Sequence, residues 1–427
     1  MFSIRPQGRR AAFVFIFITV LLDLIALGMI IPVFPSLLLG FEGGDTERTA
    51  KLIGLFTTVF ALMQFLFSPL FGALSDRYGR RPVVLLSNFG LGFDYLVMAL
   101  APTLSWLFVG RIVSGITSAS VPTAYAYVAD TAAPEERPKY FGFLGVAFGV
   151  GFILGPFVGG VAGHFDPRLP FFLSAGLSLL NGLYGLFVLP ESLPKERRAQ
   201  FRWSRANPVG SLVLLSSKKQ LLGLAAVTLF ADFAHVVLPT VFVLYAQYRY
   251  NWGEFATGLM MGVVGLCSMI VQGALVGPVI QSWGERRALL FALVMGGAGF
   301  VLFAFASTPW LFILGVPVMS LWGLANPAIQ GLMTRKVGPS EQGQLQGANQ
   351  SLMAVAELVG PSMFSFTFAW FISADAPLRL PGAPFLLATA FLVMAGGLAA
   401  WVTRGASRDA SPPKAAGPTQ PIPGEAA

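Results

Sequence analysis

Residues 72–82 read GALSDRYGRRP and lie between two long apolar segments. Four charged side chains fall within the six residues from Asp76 to Arg81. A tight turn between two membrane helices needs backbone freedom, which Gly79 supplies, and charges that resist translocation. Asp76 can cap the next helix or pair with a neighbouring arginine. The stretch predicts a charged turn, either a simple topological anchor or part of a gate. The candidate gating residues are Gly72, Asp76, Arg77, Gly79, Arg80 and Arg81.

The composition indicates a membrane protein. Of the 427 residues, 55% are hydrophobic and 11% are charged, whereas soluble domains carry about 25% charged residues. The net charge of +8 does not indicate nucleic-acid binding, because the basic residues lie in short loops between apolar segments. One cysteine and two histidines leave little material for a disulfide framework or a metal centre. We therefore expect no metal, no cofactor and no nucleic-acid partner.

Twelve apolar segments are long enough to cross a bilayer, which takes about 20 residues. A basic connection at 190–219 divides them into an N-terminal six-helix half at 1–189 and a C-terminal half at 220–403. Residues 404–427, rich in Pro, Ala and Gly, are predicted to form a disordered tail. The predicted fold is an all-α membrane protein with two pseudo-symmetric halves. The predicted spans are residues 12–39, 51–74, 83–101, 105–129, 139–162, 169–189, 220–246, 255–281, 288–306, 309–333, 343–372 and 383–403.

The distribution of basic residues predicts the orientation. Most of the 28 Lys and Arg residues lie in the loops on the same side as the N-terminus. The positive-inside rule therefore places both termini in the cytoplasm.

The two halves resemble each other at an offset of 205 residues, as in the matches of Gly79 to Gly284 and of Pro156 to Pro361. The copy of the charged turn is degraded, with Gln281 and Glu285 at two of its charged positions. Repeated halves are typical of secondary transporters, whose site lies between the halves near the midplane. No GxxxxGK[ST] motif is present, which argues against direct use of ATP, and no nucleophile–base set indicates an enzyme.

Charged residues within the predicted spans are costly and suggest a function. We assign Asp23, Asp94, Asp232 and Arg111 to proton coupling, with Arg111 paired to Asp23 or Asp94. Removing a carboxyl group from water favours its neutral form, so proton capture and release near neutral pH become feasible. The alternative is that these side chains only hydrogen-bond or form bridges between helices.

Other polar residues in the spans are candidates for a substrate site. Asn326 and Gln330 are four residues apart and share a helical face. Asp232 and His235 are three apart, and they form either a proton-sensitive pair or separate interhelical contacts. The assigned substrate-binding residues are Gln64, His235, Asn326, Gln330, Asn349 and Glu357.

The fifth span is rich in glycine, and small residues let helices approach closely. Proline at position 156 can also bend the helix. The pattern indicates close packing, or sliding of this helix during transport. Its motif residues are Gly151, Gly155, Pro156, Gly159 and Gly160.

Three motifs resemble those of the major facilitator superfamily. GALSDRYGRR at 72–81 resembles the superfamily's loop signature between helices two and three. LFVGRIVSG at 107–115 resembles its fourth-helix motif, whose arginine is implicated in proton transfer. GFILGPFVGG at 151–160 resembles the antiporter motif of drug/proton exporters.

A closer resemblance is to the tetracycline/proton antiporter group, carried by LDLIALGMIIPVFP at 22–35, FDYL at 93–96, ADT at 129–131 and EQGQLQG at 341–347. The sequence departs from that group in three places, the first of which is Asp232 in the seventh span, which is not the group's usual residue. The ninth span, 288–306, lacks the group's acidic residue, and the eighth-span histidine is replaced near Cys267.

The resemblance implies a proton-coupled antiporter in the bacterial inner membrane that exports an amphipathic drug, tetracycline-like or multidrug. In this hypothesis Asp23 and Asp94 alternate between proton and substrate, and a single copy of the chain suffices. One alternative is a carrier of an endogenous metabolite on the same fold. Another is a receptor or scaffold that transports nothing, although the sequence offers no large soluble domain for it.

Overall fold

The computed structural model describes residues 6–132, 137–198, 219–337 and 342–404. Regular structure in these ranges is helical. The first half contains helices Pro6–Ile30, Phe34–Phe41, Thr46–Tyr78, Arg80–Leu100, Leu104–Thr117, Ser120–Thr131, Arg137–Phe165 and Leu169–Val188, followed by a 3-10 turn at Lys195–Arg197. The second half contains helices Lys219–Tyr250, Glu254–Ile270, Val276–Phe305, Pro309–Ser320, Ala325–Thr334, Gln342–Ile372 and Ala383–Val402, with a π turn at Val271–Leu275 and a 3-10 turn at Leu321–Leu324.

Eleven helical runs in the described ranges are long and apolar enough to cross a membrane. The run Glu254–Phe305 is 52 residues long, more than twice what one crossing needs. Its backbone leaves the helical region at Gly284, with φ 76° and ψ 159°. This run therefore contains the eighth and ninth spans, which brings the crossings to twelve and confirms the predicted fold class.

Three spans that we predicted as single helices are broken. The breaks lie at residues 31–33 in the first span, 118–119 in the fourth and 321–324 in the tenth. Each break contains or adjoins the residue four positions before a proline, namely Pro35, Pro122 or Pro327. A proline ring clashes with the carbonyl group four residues earlier and offers no N–H to it, which explains where the breaks fall.

The turns at Gly79 and Gly284 mark one end of the helix bundle, which we call the basic face. It carries Arg77, Arg80, Arg81, Arg286 and Arg335. The other end is the opposite face, where the second span begins at Thr46 and the eighth at Glu254.

Within the first half, the first span packs against the fifth and sixth, and the third packs against the sixth. In the second half, the seventh span packs against the eleventh and twelfth. Across the halves, the second span packs against the eleventh and the fifth against the eighth.

Contacts near the opposite face join the halves. Thr58 and Ser362 form a hydrogen bond of 2.8 Å between the second and eleventh spans. Gln247 donates to Ser36 at 2.6 Å, which ties the seventh span to the end of the first. The backbones of the fifth and eighth spans meet closely at Gly160, where an added Cβ would lie 2.8 Å from the Cα of Gly258.

Candidate functional site

Asp23 lies inside the first half, and only 6% of its surface is exposed. Asn181 of the sixth span donates to Asp23 Oδ1 at 2.9 Å and to the Thr19 carbonyl oxygen at 3.0 Å. The Asn88 amide of the third span lies 3.1 and 3.2 Å from the two carboxyl oxygens. The Ser120 hydroxyl of the fourth span also faces the carboxyl group.

A buried carboxyl group requires polar partners, because leaving it unsatisfied in an apolar environment is costly. The partners of Asp23 come from three neighbouring spans of the same half. Asp23 is therefore held in a polar network within that half, which is an interhelical arrangement the sequence left open. A direct contact between Asp23 and a substrate stays a prediction.

Asp94 is the second buried acid of this half, with 1% of its surface exposed. The Ser114 hydroxyl of the fourth span donates to Asp94 Oδ2. Its other oxygen, Oδ1, has no hydrogen-bond partner in the described part of the chain. A methyl group added at Gly110 would lie 2.8 Å from that oxygen, so this glycine makes room for the carboxyl group.

Arg111 lies one turn before Ser114 on the fourth span. Its guanidinium group lies over the ring of Phe34, 4.0 Å from the ring centroid. Asp94 acts on it electrostatically, although within the ranges described above Arg111 belongs to no ion pair. Of the two acids predicted as its partner, Asp94 is therefore the one the structure brings near it.

In the second half, Asp232 of the seventh span and Glu357 of the eleventh face each other. Both helices run from the basic face to the opposite face, and Val236 packs against Gly360, where an added Cβ would lie 2.8 Å from it. Asp232 and Glu357 lie one helical turn before these contacting residues, at the same depth and towards the same interface. The two half-buried carboxyl groups interact electrostatically.

The predicted substrate-binding residues fall into separate groups. His235 is exposed and its ring lies 5.7 Å from that of Trp322 in the tenth span. Asn349 donates to Gln330 at 3.3 Å, which joins the eleventh and tenth spans. Asn326 is exposed one turn from Gln330.

Gln64 belongs to the other half. It donates to Ser118 at 3.3 Å, at the break in the fourth span. Gln64 is therefore not placed among the second-half candidates.

The predicted gating turn is built around Arg80. Gly79 has φ 111°, which a residue with a side chain rarely adopts. Arg80 donates to Asp76 at 2.6 Å and to Asp130, at the end of the fourth span, at 2.8 Å. Glu191 accepts from the backbone N–H of Arg80 at 2.8 Å. These contacts lie within the first half and the start of the connection that follows it, so a latch between the halves stays a prediction.

The remaining turn residues lie at its edge. Arg81 donates to the carbonyl oxygen of Leu186 at 2.5 Å, which ties the turn to the end of the sixth span. The guanidinium of Arg77 lies 5.1 Å from the centroid of the Tyr78 ring. Gly72 is exposed, with open space where a side chain would project.

The second half repeats this turn with its charges reversed. Glu285 stands where Arg80 does and pairs with Arg335, which stands where Asp130 does. Arg286 donates to Thr403 at 3.0 Å and ties the turn to the twelfth span. We did not predict this pair, although the 205-residue offset maps both positions.

The glycines of the fifth span lie on two faces. The helix continues through Pro156 without interruption. One face touches the first span next to Asp23, and the other touches the eighth span of the second half. Gly151 meets Leu24, Gly155 meets Gly28, Gly159 meets Met29, and Gly160 meets Gly258.

The sequence profile of the Major Facilitator Superfamily matches residues 16–361. The chain belongs to this superfamily. Tetracycline resistance protein class C of Escherichia coli is 35% identical to it over 362 residues, covering 82% of this chain and 88% of that protein. The class H protein of Pasteurella multocida is 32% identical over 382 residues, covering 88% and 95%. The predicted resemblance to the tetracycline resistance proteins is confirmed.

Solved structures show the same fold at low identity. The human organic anion transporter MFSD10 (TETRAN) aligns with a TM-score of 0.68 and 24% identity, covering 92% of this chain and 99% of that one. The nucleoside transporter NupG aligns with a TM-score of 0.74 and 14% identity, with the same coverage. The protein is thus a multi-pass membrane transporter for small molecules, and its superfamily consists of transporters rather than enzymes.

Proposed function

We propose that this transporter is a proton-coupled antiporter that exports an amphipathic drug across the bacterial inner membrane, with both termini in the cytoplasm. The observation that carries the proposal is the position of Asp23. It is a buried acid without a cationic partner in the described chain, on a helix packed against the glycine face of the antiporter motif. Asp23 can thus bind and release a proton while the neighbouring helices move past one another.

The contacts between the halves are compatible with the proposed direction. They hold the halves together near the opposite face. The basic face is the cytoplasmic one by the positive-inside rule. We infer that this conformation admits a substrate from the cytoplasm, as an exporter requires. Movement of the halves about these contacts then exposes the site to the other side.

The substrate class is inferred from the relatives and from side chains of the second half. Two relatives that this chain matches over most of their length are named tetracycline resistance proteins. His235, Trp322 and Asn326 present aromatic and polar groups, which suit an amphipathic molecule. Protons and this small molecule are the proposed partners, and one copy of the chain is proposed to suffice.

Everted membrane vesicles test the proposal. A transmembrane pH gradient should drive uptake of tetracycline or an amphipathic dye, and added substrate should release protons. Asp23→Asn should abolish both signals while the protein stays folded, because the amide keeps the shape of the side chain but does not bind or release a proton near neutral pH. Glu254→Gln, at the opposite-face end of the eighth span, is the control. Full export by folded Asp23→Asn would exclude this proton route.

A carrier of an endogenous metabolite is the second candidate. One observation favours it: residues 288–306 contain no acidic side chain, unlike the ninth helix of the tetracycline/proton antiporters that the motifs resemble. A deletion strain with unchanged drug tolerance and a changed metabolite profile would support this candidate.

A further inference from the structure

The Asn88 amide can face Asp23 in either of two orientations, and it donates to the carboxylate in only one of them. With its nitrogen turned towards Asp23, the amide lies 3.1 and 3.2 Å from the carboxyl oxygens, and its oxygen accepts from Asn181 at 3.2 Å. With its oxygen turned towards Asp23, the amide presents an acceptor to the same carboxyl group at the same distances. Asn88 is completely buried, so its polar atoms depend on these neighbours.

The two orientations match the two protonation states of a carboxyl group. A carboxylate only accepts hydrogen bonds, whereas a protonated carboxyl group also donates one. The amide nitrogen therefore suits the carboxylate, and the amide oxygen suits the acid. Asn181 does not switch in this way, because its nitrogen donates to Asp23 and is also anchored on the Thr19 carbonyl oxygen.

We propose that Asn88 is a positioning residue for proton binding at Asp23, and that its amide turns over when the carboxyl group gains or loses its proton. The inference rests on the proposed function in taking Asp23 as the proton site. The bond formed is an O–H bond on Asp23, and the bond broken is an O–H bond of a hydronium ion, which is left as water.

Other polar groups surround Asp23 besides Asn88. The fourth and sixth spans present Ser120 and Asn181, and the fifth span presents Gly151 next to Leu24. Tyr95, two turns beyond Asn88 on the third span, is a described titratable group on which both Asp23 and Asp94 act electrostatically. Asn88 combines both hydrogen-bonding modes within 3.2 Å of the carboxyl oxygens.

The turnover also carries a structural signal between helices. In one orientation Asn88 bonds to both Asp23 and Asn181, so the first, third and sixth spans share one connected network. In the other orientation the Asn88 nitrogen faces the Asn181 nitrogen, and the link between the third and sixth spans is lost. Protonation of Asp23 is thereby expected to loosen the packing of these spans at this depth.

Infrared difference spectra between high and low pH test this inference on the full chain reconstituted in lipid. A carboxyl C=O band that disappears in Asp23→Asn is assigned to Asp23. Asn88→Leu should move that band to higher frequency, because the protonated carboxyl group loses its acceptor. Side-chain asparagine bands, identified by isotope-labelled asparagine, should change with the Asp23 band in the wild type and lose this change in Asn88→Leu.

Two further variants keep the test decisive. Ser87→Ala is the matched control, since Ser87 is equally buried beside Asn88 but donates to Thr117; its Asp23 band should stay in place. Asn88→Ser should move the Asp23 band less than Asn88→Leu does, because a hydroxyl group both donates and accepts. The serine variant replaces the leucine variant in the test if the leucine variant does not fold. An Asp23 band unmoved in the folded Asn88 variants overturns this inference alone. A spectrum unchanged by Asp23→Asn overturns the proton site as well.

Discussion

Arg80 donates to Asp130 across 2.8 Å, and the corresponding residues of the second half, Glu285 and Arg335, form an ion pair of opposite polarity. In both halves a glycine with positive φ directly precedes the residue of the pair that lies in the turn: Gly79 precedes Arg80, and Gly284 precedes Glu285. Both halves thus carry opposite charges at these two positions, in opposite arrangements. What differs is the residue one turn earlier, which is Asp76 in the first half and Gln281 in the second.

The first prediction is that the polarity of the Arg80–Asp130 pair can be reversed. Arg80→Gln alone should destabilise the protein by between about 1 kcal/mol, typical of exposed pairs, and about 3 kcal/mol, typical of buried ones. The triple variant Asp76→Gln, Arg80→Glu and Asp130→Arg copies the second half and should recover most of this loss. Thermal unfolding of the purified protein in detergent measures both effects.

Its control is the double variant Arg80→Glu with Asp130→Arg, which retains Asp76. This variant should be less stable than the triple one, because two acidic side chains then lie one turn apart on the same face. Equal stability of the double and triple variants would contradict the account of Asp76 as a partner of Arg80.

The second prediction concerns transport rather than folding. Asp76 has a side chain that is 51% exposed, so its ion pair with Arg80 contributes little to stability. If it belongs to a gate, Asp76→Asn should lower transport several-fold in vesicles while the amount of folded protein is unchanged. The matched substitution Gln281→Ala should leave transport near the wild-type rate. Equal transport by both variants would indicate that the turn has a topological role only.

The third prediction concerns the contact between the halves at Gly258. A methyl group there would lie 2.5 Å from the carbonyl oxygen of Pro156, and overpacking of this kind costs about 1–3 kcal/mol. Gly258→Ala should therefore part the halves at the opposite face and bring them closer at the basic face. Spin labels at Arg77→Cys and Ser282→Cys, in a Cys267→Ser background, should report a shorter distance.

Gly262, one turn further along the same helix, is the control for this experiment. It has open space within 4 Å of an added Cβ, so Gly262→Ala should leave the distance distribution unchanged. A distribution that shifts equally in both variants would point to a general effect of alanine on the helix.

The fourth prediction concerns the facing acids Asp232 and Glu357. Two carboxyl groups at the same depth favour a cationic substrate over a zwitterionic one. The double variant Asp232→Asn and Glu357→Gln should lower the export of ethidium about tenfold more than that of tetracycline, a difference of about 1.4 kcal/mol. Vesicle uptake of the two compounds measures it. An equal loss for both would assign the pair to proton coupling or folding instead.

Much of the architecture follows directly from the sequence. The length of the apolar segments predicts twelve crossings, because an uninterrupted apolar stretch of this length is stable in a bilayer as a helix. Positions such as Asp23 and Asp94 stand out because charge within an apolar segment is costly wherever the neighbouring helices lie. The repeat of the two halves and the glycine motif of the fifth span are likewise visible in the amino-acid sequence.

The tertiary structure alone decides which of these residues meet. Hydropathy sets the depth of a side chain, whereas the rotation of a helix about its axis depends on packing against its neighbours. The network of Asp23 with Asn88 and Asn181 joins three helices that are not consecutive in the chain. It forms only because each helix presents its polar side chain to the interior of the half at the same depth. For the same reason, only the packed bundle shows that Gly155 touches its own half while Gly160 touches the other.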